Sequence, residues 1–332
     1  MNELEYLSAF DEIVELIERS RQTALRAVNT SLIELYWQVG AYISNKIATS
    51  AWGEGVVDQL AAYLAQTQPG LRGFTRPNLF RMRQFFETYR DDAIVSPLVR
   101  QLPWTHNLII LSQSKRSEER EFYLRMTIKE QWSKRELERQ FKAALFERSV
   151  LNPPQATAGL VKSRPEALAV FKDAYMVEYL DLPPEHSESE LHQALISRLK
   201  YFLIELGRDF CFIGSEYPLQ VGNRDFAIDL LFFHRGLNCL VAIELKVGRF
   251  EPEYLGKLGF YLECLDRDHR KSHENAAIGL LLCASKDQEV VEYSLSRSLS
   301  PALVAEYKTK LPDTRLLKDK LLEFYALESP NE

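Results

Sequence analysis

From about Glu3 to Phe146 apolar residues recur every three or four positions, as in Ile13, Leu16 and Ile17 and again in Leu32, Leu35, Tyr36 and Val39. That spacing places them on one face of a helix, so the first half of the chain is expected to be all helical. Two helices, roughly Gly55 to Gln66 and Thr75 to Tyr89, flank the turn-like stretch Gln68-Pro69-Gly70-Leu71-Arg72-Gly73-Phe74. Thr75 suits an N-cap and Pro77 a first helical turn. The outline is that of a helix-turn-helix. Its second helix sets Arg76, Asn78, Arg81 and Arg83 among Leu79, Phe80, Met82, Phe85 and Phe86, and residues 72–90 carry five Arg against one Glu. These four polar residues are the candidate nucleic-acid contacts, although an αα-hairpin with a solvated arginine face has the same pattern. Charges of alternating sign from Lys115 to Arg148 read as a solvated, salt-bridged helix face.

The pattern changes at Ser149–Pro165, which loses periodicity and gains Pro, Ala and Gly. This segment is expected to be a linker between a domain at 1–150 and a second at 166–332. Helices are predicted near Pro165–Tyr179 and Ser187–Gly207, followed by three strand-like runs, a helix, a strand and a helix-strand-helix tail. Within the strands, Gly236-Leu237 suits a two-residue type II′ turn. A hairpin centred there sets Asp229 opposite Glu244, Ala227 opposite Lys246 and Leu231 opposite Ala242. A second two-residue loop at Gly222-Asn223 sets Glu216 opposite Asp229, with Pro218 marking a bulge or an edge strand.

Composition narrows the picture. The chain has 332 residues, 46% of them hydrophobic, which is enough for two domains with substantial cores. No stretch is apolar for the roughly 18 residues of a membrane span, and Met1-Asn2-Glu3-Leu4-Glu5 lacks a signal-peptide pattern, so a cytoplasmic protein is expected. The four cysteines sit in apolar runs without CxxC spacing and read as small buried hydrophobes. The net charge of -6 argues against a protein that coats nucleic acid non-specifically. Residues 1–150 hold 20 Lys and Arg against 19 Asp and Glu, leaving 21 against 28 for the remainder. A nucleic-acid footprint is therefore better sought in the N-terminal half. His106 and His234 lack partners at metal-ligand spacing, and phosphate-binding glycine loops are absent.

Two carboxylates opposed on one sheet face, about 4.5–5.5 Å apart at Cβ, repel unless a cation lies between them. Asp229 and Glu244 are thus candidate ligands of an oxygen-loving divalent ion, Mg²⁺ or Mn²⁺. Lys246, two residues beyond Glu244, shares their face. Isolated acids in strands usually mark the solvent side. Here the flanking residues Leu230, Leu231, Phe232, Phe233, Val241, Ala242, Ile243 and Leu245 are apolar on both faces, so the charged trio needs a partner or a function.

Asp229, fourteen residues and then Glu244-Leu245-Lys246, within a helix, hairpins, helix and strand, resembles the PD-(D/E)XK nuclease core in its α-β-β-β-α-β order. RDFAIDLLFFHR, LVAIELKVGRFEPEYLG, NTSLIELYWQVG, GLRGFTRPNLFRMRQFFE and QLPWTHN are similar to the YhcG-like family of bacterial proteins. The resemblance implies an α + α/β fold, with a helical, helix-turn-helix-like N-terminal domain and a restriction-endonuclease-like mixed-sheet C-terminal domain. It implies metal-dependent phosphodiester hydrolysis on nucleic acid, DNA foremost, with Asp229 and Glu244 as metal-binding acids and Lys246 as the catalytic lysine. Related nucleases often have Gln-x-x-x-Tyr in the following helix, where this chain has Lys257 and Tyr261. For the first-helix acid the chain offers Glu188, Glu190 and Glu205, while relatives often have an acid where His192 stands. Glu190 is the choice, with Glu216 a compensating acid. The alternative is a nucleic-acid-binding or assembly protein on a decayed nuclease fold, and a second copy or a protein partner stays open.

Overall fold

The computed structural model describes residues 3–49 and 54–328. The chain divides into two compact units, Met1–Arg139 and Gln140–Glu332.

The first unit is helical, with α1 (Glu3–Ala48), α2 (Glu54–Thr67), α3 (Arg76–Tyr89), α4 (Ser96–Val99), α5 (Trp104–Gln113) and α6 (Ser117–Glu130); α7 (Lys134–Lys142) runs across the division. The two helices expected around the Gln68–Phe74 turn form at their expected places. Thr75 has the extended backbone of an N-cap and Pro77 lies in the first turn, but the Thr75 hydroxyl makes no capping bond. Tyr36 and Ile43 of α1 pack with Val57 of α2 and with Leu79 and Met82 of α3. Trp37 meets the rings of Phe85 and Phe86 edge-on at 5.8 and 5.2 Å. The main neighbour of α3 is therefore α1 rather than α2. Gly40 permits this approach, since a Cβ there would overlap the Met82 carbonyl.

The second unit contains α8 (Leu145–Leu151), β1 (Gln155–Ala156), α9 (Ala158–Ser163), β2 (Ala174–Met176), α10 (Glu188–Ser197), α11 (Leu199–Leu206), β3 (Phe210–Val221), β4 (Arg224–His234), β5 (Cys239–Arg249), α12 (Glu253–Cys264), β6 (Asn275–Ser285), α13 (Gln288–Leu295), β7 (Ala302–Lys308) and α14 (Thr314–Glu328). The strands form one sheet in the order β1-β7-β6-β5-β4-β3. β3, β4 and β5 are antiparallel neighbours, whereas β5, β6 and β7 run parallel. Leu191, Leu195 and Phe202 of α10 and α11 cover one face, against Leu230, Phe232 and Ile243. Leu258, Leu262 and Val291 of α12 and α13 cover the other, against Leu231, Ala242 and Leu281. Strands clothed on both sides explain the apolar residues at successive positions.

Three expectations change. The 149–165 segment is folded into this unit: α8 packs on α14, Gln155–Ala156 pair with β7, and the buried Thr157 donates to the Ser300 carbonyl at 2.7 Å. Residues 165–179 are not one helix but a short 3-10 turn, Pro165–Ala169, followed by β2, which lies parallel to β7. β1 and β2 thereby share the outer edge of β7, satisfying backbone groups that would otherwise be unpaired. The helix expected at 187–207 is broken at Arg198 into α10 and α11.

The β4–β5 register is the expected one, with Leu231 opposite Ala242. Its turn differs: four residues, Arg235–Asn238, connect the strands, and the left-handed residue is Asn238 rather than Gly236. The buried His234 accepts from the Leu237 N–H at 2.9 Å and so stabilises this turn, and His106 bonds the Trp132 carbonyl at 3.0 Å. Pro218 pairs with Ala227 on the edge strand β3, and the register shift in that strand falls at Phe212/Gly214 instead. All four cysteines are free; Cys211 is exposed on β3, contrary to expectation, because the edge strand leaves its outer positions uncovered. Among the described residues no helix is long and apolar enough to cross a membrane.

Gly40→Ala is expected to push α1 off α3 and to destabilise the helical unit by about 1–3 kcal/mol, as overpacking typically does. Urea unfolding followed through Trp37 and Trp104 fluorescence measures it; an unchanged midpoint would show that the helices part without cost.

Candidate active site

β4 and β5 pair as far as Leu230 and Ile243, and the ladder stops there. Beyond that point β4 keeps its partner β3 at Ile228–Tyr217, while β5 keeps β6 at Glu244–Leu281 and Lys246–Cys283. Asp229 and Glu244 are therefore the first residues past the place where the strands separate. The Asp229 carboxylate takes over from the missing ladder: its Oδ2 accepts from the Leu245 N–H at 2.7 Å. On the helix side, His192 of α10 lies with Nε2 3.2 Å from the Asp229 carbonyl oxygen and donates to it when that nitrogen carries the proton.

Glu244 is only 1% exposed. Two ammonium groups converge on its Oε1: Lys257 of α12 hydrogen-bonds it, and Lys246 approaches to 3.4 Å. Its Oε2 is buried without any partner. A buried carboxylate oxygen left bare is costly unless another group binds it. Burial and the nearby charge of Asp229 push the Glu244 carboxyl above the ordinary carboxylate range, and the two lysines offset this only in part. Burial works to lower the Lys246 ammonium, but the Glu188 bond and the charges of Glu244 and Asp229 outweigh it and hold it above its usual value. Lys257 is likewise held up, against burial, by Glu244.

Lys246 is fixed from several sides. Its ammonium donates to the Leu245 carbonyl at 2.8 Å and to both Glu188 oxygens at 3.1 and 3.2 Å, and it lies 5.6 Å from the centre of the Tyr254 ring. The acid that reaches this cluster from α10 is thus Glu188 and not Glu190. Glu190 closes a capping box, accepting from the Ser187 N–H and hydroxyl at 2.8 and 2.9 Å. Glu205 is buried elsewhere, binding Lys172 and the Met176 N–H. Glu216 falls opposite Asp229 by count, but it is exposed, has a left-handed backbone (φ 46°) and makes no ion pair among the described residues. Tyr261 is buried one turn beyond Lys257, which lies 5.3 Å from its ring centre, and burial raises its hydroxyl.

Among the described residues no three or more His, Cys, Asp or Glu side chains are grouped to hold a metal ion. The cluster offers two carboxylates and one bare buried oxygen. That donor set suits a hard divalent cation, which takes carboxylate oxygens and completes its shell with water.

In the helical unit, Arg76 pairs with Asp58 and lies over the Phe80 ring, and Arg83 pairs with Glu87 at 2.8 Å. The Asn78 amide bonds the Gly73 carbonyl and accepts from the Trp104 indole at 2.9 Å, so it fixes the turn. Arg81 is exposed and makes no ion pair among the described residues.

Residues 168–322 match the family described as "YhcG PDDEXK nuclease domain", and residues 12–148 match the "DUF1016 N-terminal domain". A curated Escherichia coli (strain K12) protein named "Putative nuclease YhcG" is 31% identical over 359 aligned positions, covering 97% of this chain and 95% of that protein. The chain belongs to the YhcG family. Two solved structures, a repair endonuclease from Pyrococcus abyssi and EndoMS in apo form, are each 16% identical and cover 40% of this chain and 50% and 49% of theirs. Their TM-scores, 0.26 and 0.25, are too low to add to the family match. In this YhcG-family chain the nuclease-domain match contains Asp229, Glu244 and Lys246 together with Glu188 and Lys257.

Glu188→Ala is expected to lower the Lys246 ammonium pKa by removing its nearest carboxylate, read by ¹³C NMR titration of labelled lysine. Glu190→Ala should leave that pKa in place and instead speed amide exchange in the first turn of α10. The reverse assignment would restore Glu190 as the acid of the site.

Proposed function

We propose that this YhcG-family protein is a metal-dependent nuclease that hydrolyses phosphodiester bonds, with DNA as its substrate. The observation that carries the reading is the buried Glu244, with one bare oxygen, beside Asp229 and Lys246 at the point where two strands separate. Asp229 and Glu244 hold a divalent ion, Mg²⁺ or Mn²⁺. When bound, that ion activates water and neutralises charge on the phosphorus. Lys246, held by the Leu245 carbonyl and Glu188, keeps one ammonium next to the carboxylates and places its charge where the phosphate oxygens become more negative. His192 braces the Asp229 backbone. Glu190 and Glu216 have no part in this scheme, and Tyr261 contributes through its contact with Lys257. Exposed Arg81 is the best placed of the helical unit's candidates to meet a phosphate, since Arg76, Arg83 and Asn78 are already engaged.

One observation favours a second reading. Lys257 already occupies Glu244, as it would in a nucleic-acid-binding or assembly protein that has lost cleavage.

Purified protein with labelled single- and double-stranded DNA and RNA distinguishes the two. Wild type is expected to cut with Mg²⁺ or Mn²⁺, Glu244→Ala and Asp229→Ala to abolish cutting while retaining binding in Ca²⁺, and Lys246→Ala to slow it by about 10²–10³. Binding without cutting under every condition would establish the second reading. Arg81→Glu should reduce the log-log salt slope of duplex binding by about 0.9, one phosphate contact. An unchanged slope in a binding titration would remove the helical unit's arginine face from the interface.

A further inference from the structure

The structure assigns a role to Lys257: we infer that its ammonium is a displaceable internal cation, which occupies Glu244 in the empty site, leaves when the divalent ion enters, and so sets the affinity for that ion. The inference rests on the metal-dependent reading of this site.

The two lysines at Glu244 are not equivalent. Lys246 is only 12% exposed and is tied to the Leu245 carbonyl, to Glu188 and to Glu244. Lys257 is 47% exposed, pairs with the Glu244 carboxylate and lies 5.3 Å from the centre of the Tyr261 ring. Its four-carbon stem can carry the ammonium from Glu244 toward solvent, whereas Lys246 would have to give up three partners to do so.

Without Lys257 the empty site would bury Glu244 with a single distant ammonium at 3.4 Å and one oxygen bare. Such a charge is unfavourable in a sheet core. A dication on the same carboxylate meets the opposite problem, because an ammonium at hydrogen-bond distance repels it strongly at that range. Glu244 can thus hold Lys257 or the ion, and the half-exposed ammonium is the one able to move.

Isothermal titration with Mn²⁺ in the absence of nucleic acid tests this on the full-length wild type, Lys257→Met, Lys257→Arg and Glu244→Gln. Lys257→Met should bind Mn²⁺ about tenfold more tightly than wild type, ~1.4 kcal/mol. Lys257→Arg, which keeps the charge, should bind no more tightly than wild type, and Glu244→Gln should bind least. Equal or weaker binding by Lys257→Met overturns the inference. A second measurement needs no variant at residue 257: the ¹³C signal of the labelled Lys257 side chain should shift when Mg²⁺ saturates wild type and stay in place in Glu244→Gln. A signal that does not move in wild type also overturns it. If neither wild type nor Lys257→Met binds either ion, the metal-dependent reading fails together with this one. If wild type binds Mg²⁺ and cuts while Lys257→Met binds no more tightly, the role of Lys257 alone is refuted.

Discussion

A carboxylate that is 1% exposed must be surrounded by groups that tolerate its charge, and the arrangement of the second unit around Glu244 follows from that constraint. The strand carrying it is central in the sheet and covered on both faces, so solvent cannot serve. Cations have to be brought in from elements that pack nearby, and they come from two directions: Lys246 from the same strand and Lys257 from the helix that follows it. Both cations converge on Oε1, and Oε2 has no partner among the described residues.

The separation of β4 from β5 leaves their strand ends unpaired with each other beside Glu244. A continued ladder would have joined backbone groups of the two strands and closed the gap. Instead the Asp229 side chain satisfies the Leu245 N–H, which keeps the strand end ordered while leaving it open. One residue thereby supplies a structural bond and a charge to the same place. α10 completes the wall, with His192 on the Asp229 carbonyl and Glu188 on Lys246. The first turn of that helix is held by a capping box, so the position of Glu188 depends on Ser187 and Glu190 even though neither touches the carboxylates.

In the helical unit, part of the arginine-rich face is engaged by neighbouring side chains. Arg76 and Arg83 find acids within the unit, and Asn78 ties the turn to Trp104. A stretch with five Arg against one Glu looks like an open basic surface in the sequence. Folding brings Asp58 alongside and reduces it to a few free charges.

The sequence by itself determined the helical first half, the succession of helices and strands from Ser187 onward and the hairpin register that brings Asp229 and Glu244 to the point where β4 and β5 part. All of these follow from local periodicity and from counting residues through turns, and the register survived even though the β4–β5 turn proved longer, because adding one residue to each side of a hairpin loop leaves the opposed pairs unchanged. Tertiary structure alone decided the rest. Glu188 and Glu190 both begin α10, and only the angle at which the helix meets the sheet brings one to Lys246 and leaves the other in a cap. Glu216 has the right count but a left-handed backbone, a property of the twisted edge strand that no spacing reveals. Lys257 was visible as a departure from the related nucleases' pattern, yet its engagement with Glu244 depends on the packing of α12 against β5. The 149–179 region looked like linker and helix because its sequence lacks strand periodicity, and it became β1 and β2 because the open edge of β7 offered partners that only the assembled sheet possesses.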